Sequence, residues 1–135
     1  MRDDVKNWWE QAKHDLYAAK FNFDGGLYDV SAFYCHQSIE KGLKALCILK
    51  NKESPGKTHS LIFLGRSCEL PERYYPFLKR LTPEFVLSRY PDISGELPFL
   101  LYDREWVENY LKKAVLRCFK WLTSRYHEMR SVQGS

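Results

Sequence analysis

The chain has 135 residues and a formal net charge of +4, with 44% hydrophobic and 16% aromatic residues. This length suits one hydrophobic core and excludes two independent ones, and the charge lacks the clustered excess typical of dedicated nucleic-acid-binding domains. No stretch approaches the roughly 20 apolar residues that span a bilayer. The charged start "MRDDVKNWWEQAK" has no apolar secretory region, so we expect a cytoplasmic protein.

Two long helices are predicted at the start of the chain. Apolar residues recur in steps of three and four from Asp3 to Asp24, and the pair Gly25-Gly26 ends this segment. A second helix is predicted from Tyr28 onward, with Asp29 as its N-cap. Because a short glycine turn joins the two helices, we expect them to pack antiparallel as a hairpin.

Short elements and one more long helix are predicted after residue 50. "NKESPGKTHS" is a loop, and Thr58 would cap a third, shorter helix. Pro71 would begin a fourth, with a kink or a 3₁₀ turn near Pro76. A brief helical turn then precedes the turn-rich "SRYPDISGELPF", which we expect to be an ordered loop. The final helix is predicted from Asp103 to about Met129.

These elements predict an all-α fold, an up-and-down bundle of three long helices plus short ones that resembles a four-helix bundle. We expect a single domain over residues 1–130 and a frayed tail over 131–135. Leu116 and Phe119 are predicted to project away from the main apolar stripe of the last helix, and Trp8 and Trp9 cannot both face one core. Surplus apolar faces of this kind favour self-association, so we expect a homo-oligomer, most simply a homodimer.

Sequence signatures of catalysis and of metal binding are absent. The four cysteines contain no C-x-x-C pair, which favours buried free thiols over a zinc site or a disulfide. No phosphate-binding glycine loop, H-E-x-x-H motif or Gly-flanked nucleophilic serine occurs. The sequence therefore assigns no catalytic residue, no metal ligand and no cofactor.

Polar residues are concentrated on the second predicted helix. His36, Glu40 and Lys44 are successive i, i+4 neighbours, and Gln37 lies one turn from Lys41. One interpretation is structural, with a Glu40–Lys44 surface pair and a histidine satisfied at the edge of the core. The other is a polar surface that receives a phosphate or a base, the two lysines countering its charge.

Two later blocks add candidate binding residues. Lys57 and His59 stand at the predicted start of the third helix, where free backbone N–H groups favour anions. In "SRYPD", Arg89 offers a bidentate phosphate contact and Tyr90 offers a ring on which a base can stack. Each block alone is a weak indication of a ligand site.

Five blocks follow one another along the chain: "W…A..D…A", then "G-x-Y-D-x-x-x-F-x-x-x-Q-x-x-E-K-x-L-K-A-L", then "K-T-H-S-L", then "S-R-Y-P-D", and a long C-terminal helix. In this order they resemble the HEPN family (higher eukaryotes and prokaryotes nucleotide-binding domain), over essentially the whole chain. The matching residues are Trp9, Ala12, Asp15, Ala18 or Ala19, Gly26, Tyr28, Asp29, Phe33, Gln37, Glu40, Lys41, Leu43, Lys44, Ala45, Leu46, Lys57, Thr58, His59, Leu61, Ser88, Arg89, Tyr90, Pro91 and Asp92.

The resemblance implies a helical bundle that is usually dimeric. Many small prokaryotic members are encoded beside a minimal nucleotidyltransferase, as two-component or toxin–antitoxin pairs, and the family is proposed to bind nucleotides or nucleic acid. We therefore expect a nucleotide or RNA ligand and a nucleotidyltransferase partner. Lys41, Lys44 and Arg89 would contact phosphate. His36, Gln37 and Tyr90 would contact base or sugar. The expected ligand-binding residues are His36, Gln37, Glu40, Lys41, Lys44, Lys57, His59, Arg89 and Tyr90.

One branch of the family consists of metal-independent ribonucleases with an R-x(4–6)-H motif late in the domain. Here nine residues separate Arg117 from the next histidine, His127, and Arg125 stands too close to that histidine. This departure favours a ligand that is bound rather than cleaved. Two alternatives stay open, a dimeric interaction module for the nucleotidyltransferase that binds no ligand and a divergent ribonuclease toxin. Lys113, Arg117 and Lys120 form a basic stripe that either contacts RNA or is simply solvated.

Overall fold

The computed structural model describes residues 3–133, without the side chains of residues 3, 94, 113 and 133. Within this range every regular element is helical, which confirms the predicted all-α class. The elements are α1 (Asp3–Asp24), α2 (Tyr28–Asn51), α3 (Leu61–Ser67), a 3₁₀ turn (Glu72–Tyr74), α4 (Tyr75–Leu81), α5 (Glu84–Leu87), α6 (Pro91–Ser94), α7 (Pro98–Leu101), α8 (Arg104–Tyr110), a π-helical turn (Leu111–Val115) and α9 (Leu116–Gln133). No helix of the described part is long and apolar enough to cross a membrane.

The predicted hairpin of α1 and α2 provides the most extensive helix–helix contact. Gly26 adopts φ +80°, the left-handed conformation that a tight helix C-terminus requires. Next to the turn, the Ser31 hydroxyl donates 2.7 Å to the Ala19 carbonyl oxygen. At the other end, Trp9 lies against Gly42, where an added Cβ would come within 3.6 Å of its ring. These two contacts show that the helices run antiparallel.

α9 closes the core around Trp9. The indole is stacked between the rings of Phe119 and Tyr126, with centroid distances of 5.2 and 4.5 Å. Phe119 is buried, so the prediction that it projects away from the core was wrong. Helix α9 approaches α2 closely at Gly42, where there is no side chain and a Cβ would come within 3.0 Å of Leu122. This close approach turns Phe119 toward Trp9.

Two predicted helix caps differ from the structure. Ser60 caps α3, its hydroxyl accepting from the Phe63 amide at 3.2 Å. Thr58 instead accepts from the Ser60 amide at 3.0 Å, so it shapes the turn before the helix. At α2 the capping position is Leu27, without a side-chain cap, and Asp29 lies in the first turn. An acidic residue there still favours the positive end of the helix.

The turn-rich stretch after residue 87 was predicted as a loop and contains two one-turn helices instead, α6 and α7. Each has a proline in its first turn, Pro91 and Pro98, where the fixed φ and missing N–H cost nothing. Gly95 ends α6 with φ +77°. Helix α9 continues to Gln133, beyond its predicted end near Met129, and residues 134 and 135 of the predicted tail lie outside the described residues.

A buried carboxyl group fixes α5 in place. Glu84 is only 2% exposed and accepts a hydrogen bond from the Tyr102 hydroxyl, which comes from the end of the segment containing α6 and α7. Burial raises the pKa of Glu84, opposed by hydrogen bonds from Tyr102 and Tyr110. Helix α5 also packs on α2. The hydrogen bond between Glu84 and Tyr102 therefore holds the side chain of Phe85 against α2.

Candidate functional site

A carboxylate on α2 gathers three basic side chains. Glu40 is 2% exposed, and its Oε2 lies 3.2 Å from Lys44 Nζ. Its Oε1 lies 2.9 Å from Nδ1 of His59, which comes from the segment before α3, and 3.9 Å from Nδ1 of His36. The predicted Glu40–Lys44 pair is therefore present but buried. We call these four residues the Glu40 cluster.

His36 is the most enclosed member of the Glu40 cluster, with no exposed surface. Its Nδ1 lies 3.2 Å from Oε1 of Gln37, whereas its Nε2 is buried without a hydrogen-bond partner. Burial lowers the pKa of His36 below its usual range, and the Glu40 carboxylate opposes this shift. The folded protein thus favours the neutral imidazole.

The lowered pKa of His36 predicts acid sensitivity. An unfolded histidine takes up a proton at a pKa of about 6.5, while the folded one stays neutral to a lower pH. We therefore expect His36 to contribute its full stability above pH 6.5 and to lose it as the pH falls through the lowered pKa, by up to about 1.4 kcal/mol per pH unit.

This expectation is checked by urea unfolding of wild type and His36→Gln between pH 8 and pH 5. As the pH falls, the free energy of unfolding of the wild type should decrease more than that of the variant. His14→Gln removes an exposed imidazole and serves as the matched control. A wild-type-to-variant difference that stays constant over this range would contradict the neutral state of His36.

The two α2 lysines expected to contact phosphate both neutralise carboxylates of the protein. Lys41 Nζ lies 2.5 Å from Oδ2 of Asp15, a buried residue of α1 that also accepts from Gln11 at 3.0 Å. Lys44 pairs with Glu40 and sits 4.9 Å from the centre of the Trp8 ring. Both lysines therefore help to fasten α2 to its surroundings.

A row of planar groups leads from the Glu40 cluster to the surface. The His59 ring is stacked on Phe85 at 4.1 Å, and Phe85 lies 6.1 Å from Phe33. The Arg89 guanidinium lies 4.5 Å from the centre of the Phe33 ring. Phe33 and Phe85 are half-buried, whereas His59 and Arg89 are exposed. We call His59, Phe85, Phe33 and Arg89 the ring row.

The Arg89 end of the ring row borders an open cleft of about 350 Å³. Its walls are Asp29, Val30, Phe33, Tyr34, Ser88 and Arg89. Within the described residues Arg89 forms no ion pair, so its guanidinium is available to an anion. Tyr90, 48% exposed, follows Arg89 directly, and Lys57 is exposed two residues before His59.

The structure thus brings most of the predicted site residues into one region, in two roles. His36 and Glu40 are buried and Gln37 is half-buried. Glu40 orients His59 through Nδ1, which leaves Nε2 of that ring for a ligand. Sequence reasoning missed Phe85 as a site residue. Its position four residues before Arg89, within a predicted brief helical turn, was the available signal.

The described residues contain no group of three or more histidine, cysteine, aspartate or glutamate side chains arranged to hold a metal ion. All four cysteines are buried free thiols, as predicted. What the site offers chemically is therefore a set of stacking faces, one oriented imidazole and an unpaired guanidinium.

Comparison with known proteins relates the chain to one family. The family model for the HEPN domain matches residues 5–116. The crystal structure of TT1696 from Thermus thermophilus is similar with a TM-score of 0.79 and 24% identity, over 91% of this chain and 98% of that one. That of ST0689, an archaeal HEPN homologue, has a TM-score of 0.75 and 25% identity, over 90% and 97%. No curated protein matches the chain.

Proposed function

Because this chain belongs to the HEPN domain family, we propose that it binds a nucleotide or nucleic-acid ligand and acts with a minimal nucleotidyltransferase in a two-component or toxin–antitoxin-like system. The ring row is the observation that supports ligand binding. It combines aromatic faces with an exposed, unpaired guanidinium at one end. The partner and the type of system come from the family resemblance.

Each part of the ring row matches one part of a nucleotide. A base stacked on an aromatic side chain contributes about 1–3 kcal/mol to binding. The exposed rings of His59 and Tyr90 offer such faces, and Phe85 supports the His59 ring from behind. Arg89 supplies the planar fork that fits a phosphate. We assign direct contact to Lys57, His59, Arg89 and Tyr90, with Phe33 and Phe85 as the platform.

The remaining predicted residues hold that platform in position. Glu40 fixes the His59 ring at 2.9 Å, while Lys44 keeps the carboxylate paired at 3.2 Å. His36 packs beside Phe85, with ring centroids 5.5 Å apart. Gln37 acts one step further away, through His36, whereas Lys41 fastens α2 to Asp15 of α1. We therefore assign His36, Gln37, Glu40, Lys41 and Lys44 positioning roles.

The proposal is tested by isothermal titration with a panel of nucleoside triphosphates and short single-stranded RNAs. We expect Phe85→Ala and Arg89→Ala each to weaken binding about tenfold, because the first removes the ring on which His59 is stacked and the second removes a charge-assisted contact. Arg130→Ala removes an exposed guanidinium of α9 far along the sequence from the ring row and is the matched control. Absence of binding, or equal loss in all three variants, would contradict this site.

A second candidate function is an interaction module, a dimer that holds the nucleotidyltransferase without binding a ligand. The segment containing α6 and α7 favours it, because Ile93, Leu97, Phe99 and Leu100 are 48–67% exposed. Neighbouring exposed apolar side chains of this size are typical of protein interfaces. Co-purification from the native operon separates the two functions, since a stable complex indifferent to nucleotide supports the module.

The ribonuclease alternative gains no support from the position of the late basic residues. Arg117 and His127 lie on the same helix, α9, ten positions apart, which corresponds to roughly 15 Å along the axis. Both are exposed. Degradation of cellular RNA by the purified protein would be required to revive this alternative.

A further inference from the structure

A second cleft lies on a different part of the bundle from the ring row. It has a volume of about 320 Å³ and is lined by Arg73, Tyr74, Phe77, Arg80, Ala114 and Arg117. The 3₁₀ turn and α4 form one wall, and the π-helical turn with the start of α9 forms the other. We call it the arginine cleft. It shares no residue with the ring row or with the Glu40 cluster.

The charge of the arginine cleft is uncompensated. Arg73, Arg80 and Arg117 are all exposed. Among the described residues, no acidic side chain lines the cleft and none of the three arginines forms an ion pair. Other arginines of the chain do have carboxylate partners, such as Arg104 with Glu108 at 3.3 Å and Arg125 with Glu128 at 3.4 Å. Three like charges around one cavity repel one another, and a bound anion relieves that repulsion.

Aromatic side chains hold one of the three guanidinium groups, that of Arg73, in place. The Arg73 guanidinium lies 4.8 Å from the centre of the Tyr74 ring, and its Nη2 donates to the tyrosine hydroxyl at 3.4 Å. The Tyr74 ring is supported in turn by Trp121, at 6.3 Å between centroids, and the buried Phe77 forms part of the wall. A guanidinium with less freedom loses less entropy when it binds.

We propose that the arginine cleft binds an oligophosphate, a group of two or more linked phosphates. Three guanidinium groups around one compact cavity match several negative charges concentrated within a few ångströms. A single phosphomonoester carries at most two, and an extended nucleic-acid backbone carries one per nucleotide. The planar fork of arginine suits phosphate oxygens. The group can belong to free polyphosphate, to a nucleoside triphosphate or to the 5′-triphosphate end of an RNA.

Titration calorimetry at low salt tests the arginine cleft with inorganic tripolyphosphate, ATP, AMP and adenosine. We expect tripolyphosphate and ATP to bind, AMP to bind at least about tenfold more weakly, and adenosine not to bind through this cleft. Arg80→Ala and Arg117→Ala should each weaken tripolyphosphate binding about tenfold or more, the typical loss of one charge-assisted contact. A 5′-triphosphate RNA compared with its 5′-hydroxyl form distinguishes an RNA end from a free nucleotide.

Two controls make the outcome decisive. Arg130→Ala removes an exposed guanidinium from α9 outside the cleft and should leave tripolyphosphate binding unchanged, whereas Arg80→Lys keeps the charge and should still weaken it. Absence of tripolyphosphate binding, or the same loss for Arg130→Ala as for Arg80→Ala, overturns the proposal. Tripolyphosphate has no base to stack, so its failure to bind leaves ligand binding on the ring row standing.

Discussion

Replacing Trp9 with alanine is expected to lower the free energy of unfolding by about 3–5 kcal/mol, the usual cost of deleting a large buried aromatic side chain. The indole is 2% exposed and is stacked between two rings of α9. It also meets α2 at Gly42. Its loss therefore opens a cavity where all three long helical elements meet.

Chemical denaturation with urea, followed by circular dichroism, measures this effect. Tyr17→Ala is the matched control, because Tyr17 is an aromatic residue of the same helix that is 62% exposed. Its substitution should change the free energy of unfolding by no more than about 0.5 kcal/mol. A Trp9→Ala loss as small as that of the control would show that α1 does not pack on α9 through this ring.

Replacing Glu40 with alanine is expected to have an effect of similar size, a loss of about 3–5 kcal/mol, because it leaves Lys44 buried without its carboxylate. Lys44 is 5% exposed and lies 3.2 Å from the carboxylate. Glu10→Ala is the matched control, since Glu10 pairs with Lys13 at the surface, at 3.1 Å, with both side chains about half exposed. That exposed pair should contribute at most about 1 kcal/mol.

A double variant shows whether the loss in Glu40→Ala comes from the stranded charge. Glu40→Leu combined with Lys44→Met removes both charges and fills similar volume, so it should be markedly more stable than Glu40→Leu alone. If the two substitutions add as independent losses, the Glu40–Lys44 pair does not carry the stability assigned to it. Urea unfolding provides the free energies of unfolding of both the single and the double variant.

The long helices could be predicted because their apolar residues repeat over many turns. Steps of three and four located α1 at its observed bounds and α2 from Tyr28. The one-turn helices α6 and α7 could not be found this way, because four residues are too few to show a helical period and proline is also typical of turns. Which face of α9 is buried also depended on tertiary contact, as Phe119 shows.

The candidate site could be predicted as a set of residues but not as an arrangement. The i, i+4 spacing of Glu40 and Lys44 predicts a pair, yet it cannot show that His59 and Trp8 cover that pair. Phe85 lies on a four-residue helix, where an apolar side chain resembles ordinary core. Its place in the ring row depends on tertiary packing, because the buried Glu84 holds that helix against α2.

The central claim, that the ring row is a nucleic-acid or nucleotide surface, is tested most directly by photo-crosslinking. A short single-stranded RNA with one 4-thiouridine is irradiated with the purified protein, and the crosslinked peptides are identified by mass spectrometry. We expect crosslinks at Phe85, Tyr90 and His59, reduced in Arg89→Ala and unchanged in Arg130→Ala. Crosslinks confined to the segment containing α6 and α7 or to the arginine cleft, or none above the background of a protein without the family fold, would contradict the claim.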